Sequence, residues 1–193
     1  MSSPVDFSPY PPLIVFFGTT ATGKSTLAKA WADRHGFLYF NSDVVRKELA
    51  GEEGSGKQPV GVGQGIYTPE FSRRTYDELL QRAKEELTAG KGVVLDASYL
   101  DRPERDRVLA LADRLGVTFR FVLCECSDHV RRQRLDMRAR DPQAVSDGRW
   151  EIYLRQREKF EPPFELPPDR LILVDTAPPV DHLLMLLDKN LAL

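Results

Sequence analysis

The run of residues with the clearest chemistry is Gly18-Thr-Thr-Ala-Thr-Gly23-Lys24-Ser25, which matches the pattern GxxxxGK[ST]. It lies between the apolar run LIVFF and the helix-forming run TLAKAWADRHG, and this strand, loop and helix context is the one in which the pattern binds phosphate. Glycine lets the backbone wrap a phosphate without Cβ clashes, and amide groups at the start of a helix favour anions. The predicted nucleotide-binding residues of this phosphate-binding loop are Gly18, Thr19, Thr20, Ala21, Thr22, Gly23, Lys24, Ser25 and Thr26.

Two residues of this loop have further predicted roles. Lys24 is expected to reach the β- and γ-phosphates, and the Ser25 hydroxyl is expected to bind Mg²⁺. An acid that follows a later apolar run, Gly92-Val-Val-Leu95-Asp96, resembles the acid that ends a Walker B strand. Asp96 is therefore the predicted second magnesium ligand, and the alternative is a turn-forming Asp before Ala97.

Asp43 and Arg46 follow the second apolar run of the chain. Because parallel strands direct their carboxyl ends to the ligand crevice, Asp43 is expected to face the transferred phosphate. A carboxylate there can accept the proton of an attacking hydroxyl, and Arg46, three residues on, can bind an acceptor group or the moving phosphoryl group. The alternative is that Ser42 or Asp43 only caps the following helix.

A strongly basic segment, residues 130–140, holds five arginines in eleven residues. Arg131, Arg134 and Arg138 fall on one face of a helix, and such a face can close over a triphosphate and offset the charge that spreads during transfer. We prefer Arg134 and Arg138 for this role; the alternative is a solvated basic face that pairs with nearby aspartates. After the last apolar run, Thr176 is predicted to line an adenine pocket, although Asp175 beside it can equally cap or turn the chain.

Apolar runs and helical patterns alternate almost strictly along the chain, which predicts a parallel sheet covered by helices on both faces. The predicted strands are 13–17, 37–40, 93–95, 118–123 and 171–174, and the predicted helices are 25–35, 43–49, 71–89, 103–115, 128–140, 149–160 and 180–191. Residues 1–12 are predicted to form a flexible tail, and residues 13–193 one domain with a lid at about 127–150. The segment 51–65, with six glycines, is predicted to be a mobile loop.

Composition narrows the function classes. The 193 residues suit one domain, and 41% hydrophobic with 29% charged residues is close to globular averages. A net charge of -2 gives no global field that favours nucleic acid or anionic membranes. The N-terminus lacks the pattern of a signal peptide, and no window is apolar enough for a membrane helix, so a soluble cytoplasmic protein without membrane contact is expected. The guanine-reading motif NKxD is absent from the sequence, which disfavours a GTPase.

Several segments, taken in order, resemble a known family. They are GTTATGKSTLAKAWA, NSDVVRKELAG, LDASYLDRPERD, VRRQRLDMRARDP and ILVDTAPP. Together they look like the phosphate-loop (P-loop) kinase-like ATP-binding domains of an AAA-type family, and the resemblance runs from residue 13 to about residue 179. The layout is also similar to polynucleotide 5′-kinase domains and to gluconate and shikimate kinases.

This resemblance implies a P-loop NTPase fold of class α/β, with three layers (α/β/α) and a five-stranded parallel sheet in the order 2-3-1-4-5. It implies ATP and Mg²⁺ as ligands, Asp43 as the base and Arg46 at the acceptor site. The lid arginines of the family match Arg134 best and Arg138 next, and the stretch from Asp96 to Arg105 resembles the corresponding acid-to-arginine stretch. Arg102 or Arg105 can touch the acceptor, and the alternative is that both are exposed arginines at the start of a helix.

The leading hypothesis is a kinase that transfers the γ-phosphoryl group of Mg-ATP to a hydroxyl of a small molecule. The alternatives are a nucleic-acid 5′-hydroxyl kinase and an ATP-binding regulatory module without an acceptor. The segment 51–65 lacks the basic and aromatic clustering of a nucleic-acid site, so the sequence leaves the acceptor open. It also leaves the oligomeric state open.

Overall fold

The computed structural model describes residues 12–51, 65–140 and 149–191. Their centre is one parallel sheet with the strand order β2-β3-β1-β4-β5, as predicted. The strands are β1 (Leu13–Phe17), β2 (Leu38–Asn41), β3 (Val93–Asp96), β4 (Phe119–Glu125) and β5 (Leu171–Asp175). The three central strands β1, β3 and most of β4 are buried on both faces, because helices cover both sides of a parallel sheet.

Seven α-helices join and cover these strands within the described residues. They are α1 (Lys24–His35), α2 (Ser42–Leu49), α3 (Pro69–Thr88), α4 (Arg102–Leu115), α5 (Asp128–Arg140), α6 (Trp150–Lys159) and α7 (Val180–Leu191). Helices α1 and α7 pack on one face of the sheet, around the buried Trp31. Helices α3 and α4 pack on the other face, where Leu79 and Val108 are buried. None of the described helices combines the length and apolar composition that crossing a membrane requires.

The observed elements begin and end within two residues of the predicted ones. Strands β2, β3 and β5 each extend one residue further toward the carboxyl end than predicted, and β4 extends two, so polar residues such as Asn41 and Asp96 belong to the strands themselves. Parts of three predicted features lie outside the described residues: the tail at residues 1–11, the glycine-rich loop at 52–64 and the centre of the lid at 141–148.

The parallel register aligns the carboxyl ends of three neighbouring strands. Phe16 of β1 pairs with Asp96 of β3, and Asn41 of β2 pairs with the same Asp96. The chain leaves β1 directly into the loop 18–23, and the loop's first amide, that of Gly18, donates to the carbonyl of Ser98 just past β3. The predicted site residues of the first three strands therefore lie at one edge of the sheet.

A buried ion pair joins α4 to the connector that precedes β5. The Arg105 side chain is fully buried, and its guanidinium donates two hydrogen bonds to the carboxylate of Glu165, which is 6% exposed. A third hydrogen bond, of 2.9 Å, goes to the Tyr99 carbonyl. A contact of Arg105 with an acceptor is therefore wrong, and so is its alternative as an exposed arginine, because this guanidinium is buried and bonded inside the fold. A contact of Arg102 with an acceptor stays a prediction. Burial alone would raise the pKa of Glu165, but the hydrogen bonds from Arg105 hold it below its ordinary value.

Replacing Glu165 by Gln is expected to lower the free energy of unfolding at pH 7 by about 3 kcal/mol, because the buried charge of Arg105 loses its partner. Since the pKa of Glu165 is lower in the folded state, its contribution is present above the unfolded pKa of about 4.3 and disappears as pH falls through the folded value. Urea unfolding of the wild type and of Glu165→Gln should therefore show the full difference in the free energy of unfolding at pH 7 and a smaller difference below pH of about 4.

Asp33 provides the matched control for this experiment. It forms an i,i+4 pair with Lys29 on α1, and both side chains are about 60% exposed. Asp33→Asn is expected to change the free energy of unfolding by less than about 0.5 kcal/mol, since exposed helix pairs contribute little. Equal effects of Glu165→Gln and Asp33→Asn would show that the Arg105 pair does not stabilise the fold.

Candidate functional site

The loop between β1 and α1 needs glycine at two positions. Gly18 has φ of +132°, and a Cβ atom there would lie 2.5 Å from the carbonyl oxygen of Cys124 on β4. Gly23 has φ of +85°, and a Cβ there would lie 3.0 Å from the guanidinium of Arg134. Ala21, a residue with a side chain, also adopts positive φ, +59°. Alternation of positive and negative φ turns successive amide groups of such a loop toward a common point, as in other anion-binding loops.

The amide groups of residues 21–26 are open to a ligand. No described residue accepts a hydrogen bond from any of these six amides, which lie in the loop and the first turn of α1. The amide of Gly18 is different, because it donates to Ser98. Unpaired amides at the N-terminus of a twelve-residue helix form a site with affinity for anions.

The carboxylate of Asp96 lies beside this loop and is fully buried. Its Oδ2 atom accepts hydrogen bonds of 2.6 Å from the Tyr39 hydroxyl and of 2.6 Å from the Asn41 side-chain amide. Its Oδ1 atom is buried and has no hydrogen-bond partner among the described residues. The Ser25 side chain acts to lower the pKa of the Tyr39 hydroxyl, so Ser25 and Asp96 both lie near Tyr39 in one polar cluster.

This cluster fits a magnesium ion. Mg²⁺ takes oxygen ligands, usually one or two from the protein together with phosphate and water. The unpartnered Oδ1 of Asp96 and the hydroxyl of Ser25 are oxygens of that kind. Burial, and secondly the charge of Asp96, raise the pKa of Tyr39 above its ordinary value, so its hydroxyl stays protonated and continues to donate to Oδ2.

Asp43 lies in the first turn of α2, which Asn41 caps. The Asn41 side-chain oxygen accepts hydrogen bonds from the amides of Asp43 (3.0 Å) and Val44 (3.1 Å). The alternative that Ser42 or Asp43 is the cap is therefore wrong, since one residue earlier fills that position. No described residue donates a hydrogen bond to the half-buried Asp43 carboxylate.

Arg46 is placed against the protein rather than toward the loop. It is 7% exposed, and its Nη1 atom donates to the Ile66 carbonyl (2.7 Å) and to the Ser72 hydroxyl (3.1 Å). Its guanidinium also lies 5.2 Å from the centre of the Tyr67 ring. These contacts hold the short helix 65–67 and the start of α3 against α2, and a direct contact of Arg46 with an acceptor stays a prediction.

The arginines of α5 have three different surroundings. Arg131 is buried and donates to the Thr19 hydroxyl (3.0 Å) and to the Thr20 carbonyl. Arg134 donates to the Thr22 carbonyl (2.8 Å) and to both the hydroxyl (3.0 Å) and the carbonyl (2.5 Å) of Thr176, which is 2% exposed. The hydroxyl and carbonyl of Thr176 are thus engaged by protein, and its predicted adenine contact stays a prediction.

Arg138 lies near two of the predicted site residues, Asp43 and Asp96. Burial lowers the pKa of its guanidinium below the ordinary value, and the nearby positive charge of Arg134 acts in the same direction. The carboxylates of Asp43 and Asp96 act in the opposite direction. The predicted role of Arg138 in phosphoryl transfer stays a prediction.

Helix α6 completes the wall of the site. Its Gln156 side-chain oxygen accepts a hydrogen bond of 2.6 Å from the Thr20 amide. Its Tyr153 ring lies 4.0 Å from the Arg131 guanidinium, and its Tyr153 hydroxyl donates to Asp128 of α5 over 2.5 Å. A cavity of about 650 Å³ opens between these two helices, the loop residues Gly18, Thr19 and Thr22, and the carboxyl ends of β4 and β5.

Comparison with known proteins identifies the family. Residues 13–163 match the family described as AAA domain. The chain belongs to this family. Over 108 residues, 56% of the chain, this AAA domain is 31% identical to uncharacterized proteins of Mycobacterium tuberculosis and Mycobacterium bovis. The matched part is 21% of the length of those curated relatives, so the chain matches about a fifth of each.

Solved structures similar to this AAA domain are P-loop kinases and kinase-like proteins. A gluconokinase from Sinorhizobium meliloti is 23% identical, with a TM-score of 0.66 over 95% of this chain and 93% of that chain. A shikimate kinase from Bacteroides thetaiotaomicron is 17% identical, with a TM-score of 0.64 over 94% and 98%. Kti12 from Chaetomium thermophilum, in complex with ADP-AlF3, is 14% identical, with a TM-score of 0.66 over 94% and 100%. At these identities the likeness confirms the predicted P-loop kinase fold.

Four residues of this site in the AAA domain were missed by sequence reasoning. Tyr39 and Asn41 stand two apart at the end of β2, so their shared face of the strand was a usable signal. Arg131 was noted on the basic helix face but not preferred. Gln156 had no signal, because a single glutamine on a polar helix says nothing about a partner 136 residues away.

Tyr39→Phe is expected to weaken the effect of Mg²⁺ on nucleotide binding by about tenfold, because the Asp96 carboxylate loses one of the two donors that orient it. The measurement is calorimetric titration with ADP in the presence of Mg²⁺ and in the presence of EDTA. Affinity in EDTA should stay at the wild-type value, since Tyr39 touches no loop amide.

Tyr76→Phe is the control for this variant. It removes another buried hydroxyl, one that bonds Ser98 and the Tyr99 amide instead of Asp96. It should leave the ratio of the two ADP affinities unchanged. If Tyr39→Phe and Tyr76→Phe gave the same ratio as the wild type, Tyr39 would have no part in orienting a magnesium ligand.

Proposed function

We propose that this AAA domain is an ATP-dependent kinase that transfers the γ-phosphoryl group of Mg-ATP to a hydroxyl of a small molecule. The observation that carries the proposal is the loop between β1 and α1, whose amides at residues 21–26 have no partner among the described residues, beside the buried Asp96, whose Oδ1 atom is also unpartnered. Asp43 at the start of α2 would supply the proton acceptor, and Arg138 would supply a cation on the lid. Phosphoryl transfer needs these parts, because its transition state spreads negative charge that must be positioned and neutralised.

On the nucleotide side, the open amides of residues 21–26 and the Lys24 ammonium would bind the β- and γ-phosphates. Asp96 and Ser25 would hold Mg²⁺, which neutralises charge on the phosphate oxygens when it is bound. Tyr39 and Asn41 keep the Asp96 carboxylate oriented, so Oδ1 remains available. These residues would hold the γ-phosphoryl group in place for attack by the acceptor hydroxyl.

On the acceptor side, the Asp43 carboxylate would take the proton of the attacking hydroxyl. The hydroxyl oxygen forms a bond to the γ-phosphorus while the bond to the β,γ-bridging oxygen breaks, and ADP leaves with that oxygen. Asn41 holds the backbone amide of Asp43 and thereby fixes the carboxylate at the start of α2. Arg138 offsets the charge that spreads over the transferred group.

A small acceptor is favoured by charge and by the comparisons. The net charge of the chain is -2, which gives no general attraction for a nucleic acid. Two of the similar structures are a gluconokinase and a shikimate kinase, whose names denote small hydroxylated acids. Nucleic acid remains the second acceptor class that the experiment must include, because the sequence also resembles polynucleotide 5′-kinases.

The test is incubation of the full chain with Mg²⁺ and γ-labelled ATP and two acceptor pools. One pool holds small alcohols, sugars, sugar acids and aminoglycosides, and the other holds 5′-hydroxyl oligonucleotides. Label in the first pool supports the proposal, and label only in the second replaces it with a nucleic-acid kinase. Tight ATP binding without transfer to either pool would contradict a kinase for these acceptor classes and favour a regulatory nucleotide-binding module.

Asp43→Asn is expected to lower the turnover number by about 10²-fold or more, because the general base is removed, while ATP affinity stays nearly intact. Steady-state rates give the turnover number, and ATP titration gives the affinity. Asp33→Asn on the exposed face of α1 is the charge-matched control and should leave both quantities unchanged. A parallel loss of ATP affinity in Asp43→Asn would mean that Asp43 supports the fold of the site instead of the chemistry.

A further inference from the structure

Four successive carbonyl groups of the phosphate-binding loop, those of residues 19–22, accept hydrogen bonds from the protein, in contrast to the open amides of residues 21–26. The Thr19 carbonyl accepts from the Thr22 hydroxyl over 3.1 Å. The Thr20 carbonyl accepts from Arg131, and the Ala21 carbonyl accepts a weak bond from the Cys126 thiol, 3.8 Å away. The Thr22 carbonyl has two donors, Arg134 at 2.8 Å and the hydroxyl of Thr176.

A held carbonyl also fixes the direction of the next amide. In a trans peptide group the C=O of one residue and the N–H of the next lie in one plane and point in opposite directions. All peptide bonds of the described residues are trans. When Arg131 holds the Thr20 carbonyl on the lid side, the Ala21 amide must point away from the lid helix. When Arg134 and Thr176 hold the Thr22 carbonyl, the Gly23 amide is directed in the same way.

We propose that Arg134 and Thr176, with Arg131, are positioning residues that orient the phosphate-binding amides by donating hydrogen bonds to the carbonyls of the same loop. This inference rests on the proposed nucleotide binding. It gives the arginines of α5 two separate tasks: Arg131 and Arg134 shape the loop, and Arg138 faces the transferred group. The three carbonyl-holding side chains, together with the carbonyls of Thr20 and Thr22, are called the carbonyl clamp below.

Thr176 is well suited to this task because it is buried and its polar groups have hydrogen-bond partners within the protein. It is 2% exposed, and its hydroxyl lies within bonding distance of the Thr22 carbonyl and the Glu125 carbonyl. The hydroxyl also receives a hydrogen bond from Arg134 over 3.0 Å, so the arginine and the threonine support each other. The Glu125 carbonyl, in turn, accepts from the Thr176 amide over 2.9 Å, which ties the start of the chain beyond β5 to β4.

Gln156 completes the arrangement at the other end of the loop. Its Oε1 atom accepts from the Thr20 amide, and Arg131 binds the carbonyl of the same residue. Both polar backbone groups of Thr20 are therefore held by α5 and α6. Because the donor is a backbone N–H, the accepting atom of Gln156 has to be its oxygen.

Thr176→Val separates this proposal from a direct contact with the nucleotide. Valine has the shape of threonine but no hydroxyl, and it changes no charge. The probes are inorganic pyrophosphate, which has only the groups that the loop amides bind, and Mg-free ADP, which adds the base and ribose. If Thr176 acts through the loop, Thr176→Val should weaken both probes by the same factor, about tenfold. If Thr176 lines an adenine pocket instead, ADP affinity should fall and pyrophosphate affinity should not.

Two control variants test the effect of removing a hydroxyl, and an Arg134 variant tests the second donor to the Thr22 carbonyl. Thr176→Ser keeps the hydroxyl and should restore wild-type affinity for both probes. Thr88→Val removes a hydroxyl at the exposed end of α3 and should change neither affinity. Arg134→Met should weaken both probes, and the double variant with Thr176→Val should lose less than the product of the single losses, because both act on the Thr22 carbonyl. Thermal unfolding of every variant identifies any general loss of fold.

The outcomes separate this inference from the proposed function. Equal loss of pyrophosphate and ADP binding in Thr176→Val, with rescue by Thr176→Ser, supports the carbonyl clamp. Wild-type binding of both probes by a folded Thr176→Val would overturn the clamp and leave nucleotide binding intact. Strictly multiplicative losses in the double variant would also overturn it. If the folded wild-type protein bound neither ADP nor ATP, the proposed function itself would fail, and the clamp with it.

Discussion

The site depends on the register of three parallel strands. Asp96 pairs with Phe16 on one side and with Asn41 on the other, so an acid, an amide and the entry to the loop lie at the same height of the sheet. A shift of one residue in either pairing would turn the side chain of Asp96 or Asn41 to the opposite face. The buried apolar residues of β1 and β3 oppose that shift, because alternate residues pack into the two cores on opposite faces of the sheet and a shift would exchange them. Core packing therefore sets the geometry of the polar cluster.

The loop shows how polar groups without catalytic chemistry can still decide binding. Six neighbouring amides without partners among the described residues raise the free energy of the protein when no ligand is bound, because an unpaired backbone donor costs free energy. Two of these amides, those of Ala21 and Gly23, have a fixed direction because the carbonyls of the same peptide groups are bonded to side chains of α5 and of the chain beyond β5. Binding then needs little reorganisation, because the donors already have their direction when an anion arrives.

Four arginines of this chain show that burial and hydrogen-bond partners give different roles to residues of the same type. Arg105 is neutralised by Glu165 inside the fold. Arg131 and Arg134 bond backbone carbonyls, and such neutral partners leave their positive charge in place near the loop. Arg138 lies near the carboxylates of Asp43 and Asp96. The guanidinium suits all of these surroundings because it is a planar, permanently charged group with five donors.

The sequence by itself determined the elements and the identity of the loop, and its resemblance to a known family implied the strand order. The elements and the loop depend on local patterns: apolar runs of strand length, helical periodicity, and a glycine-lysine motif between a strand and a helix. It also placed Asp43 and Asp96 at strand ends, where parallel strands bring side chains together. The tertiary structure alone decided which arginine does what, because Arg105 and Arg138 look alike in sequence until Glu165 and Asp43 are brought beside them. It likewise decided the contact of Gln156 with Thr20 and that of Thr176 with Thr22, since hydrogen bonds between distant residues leave no period or spacing in the sequence.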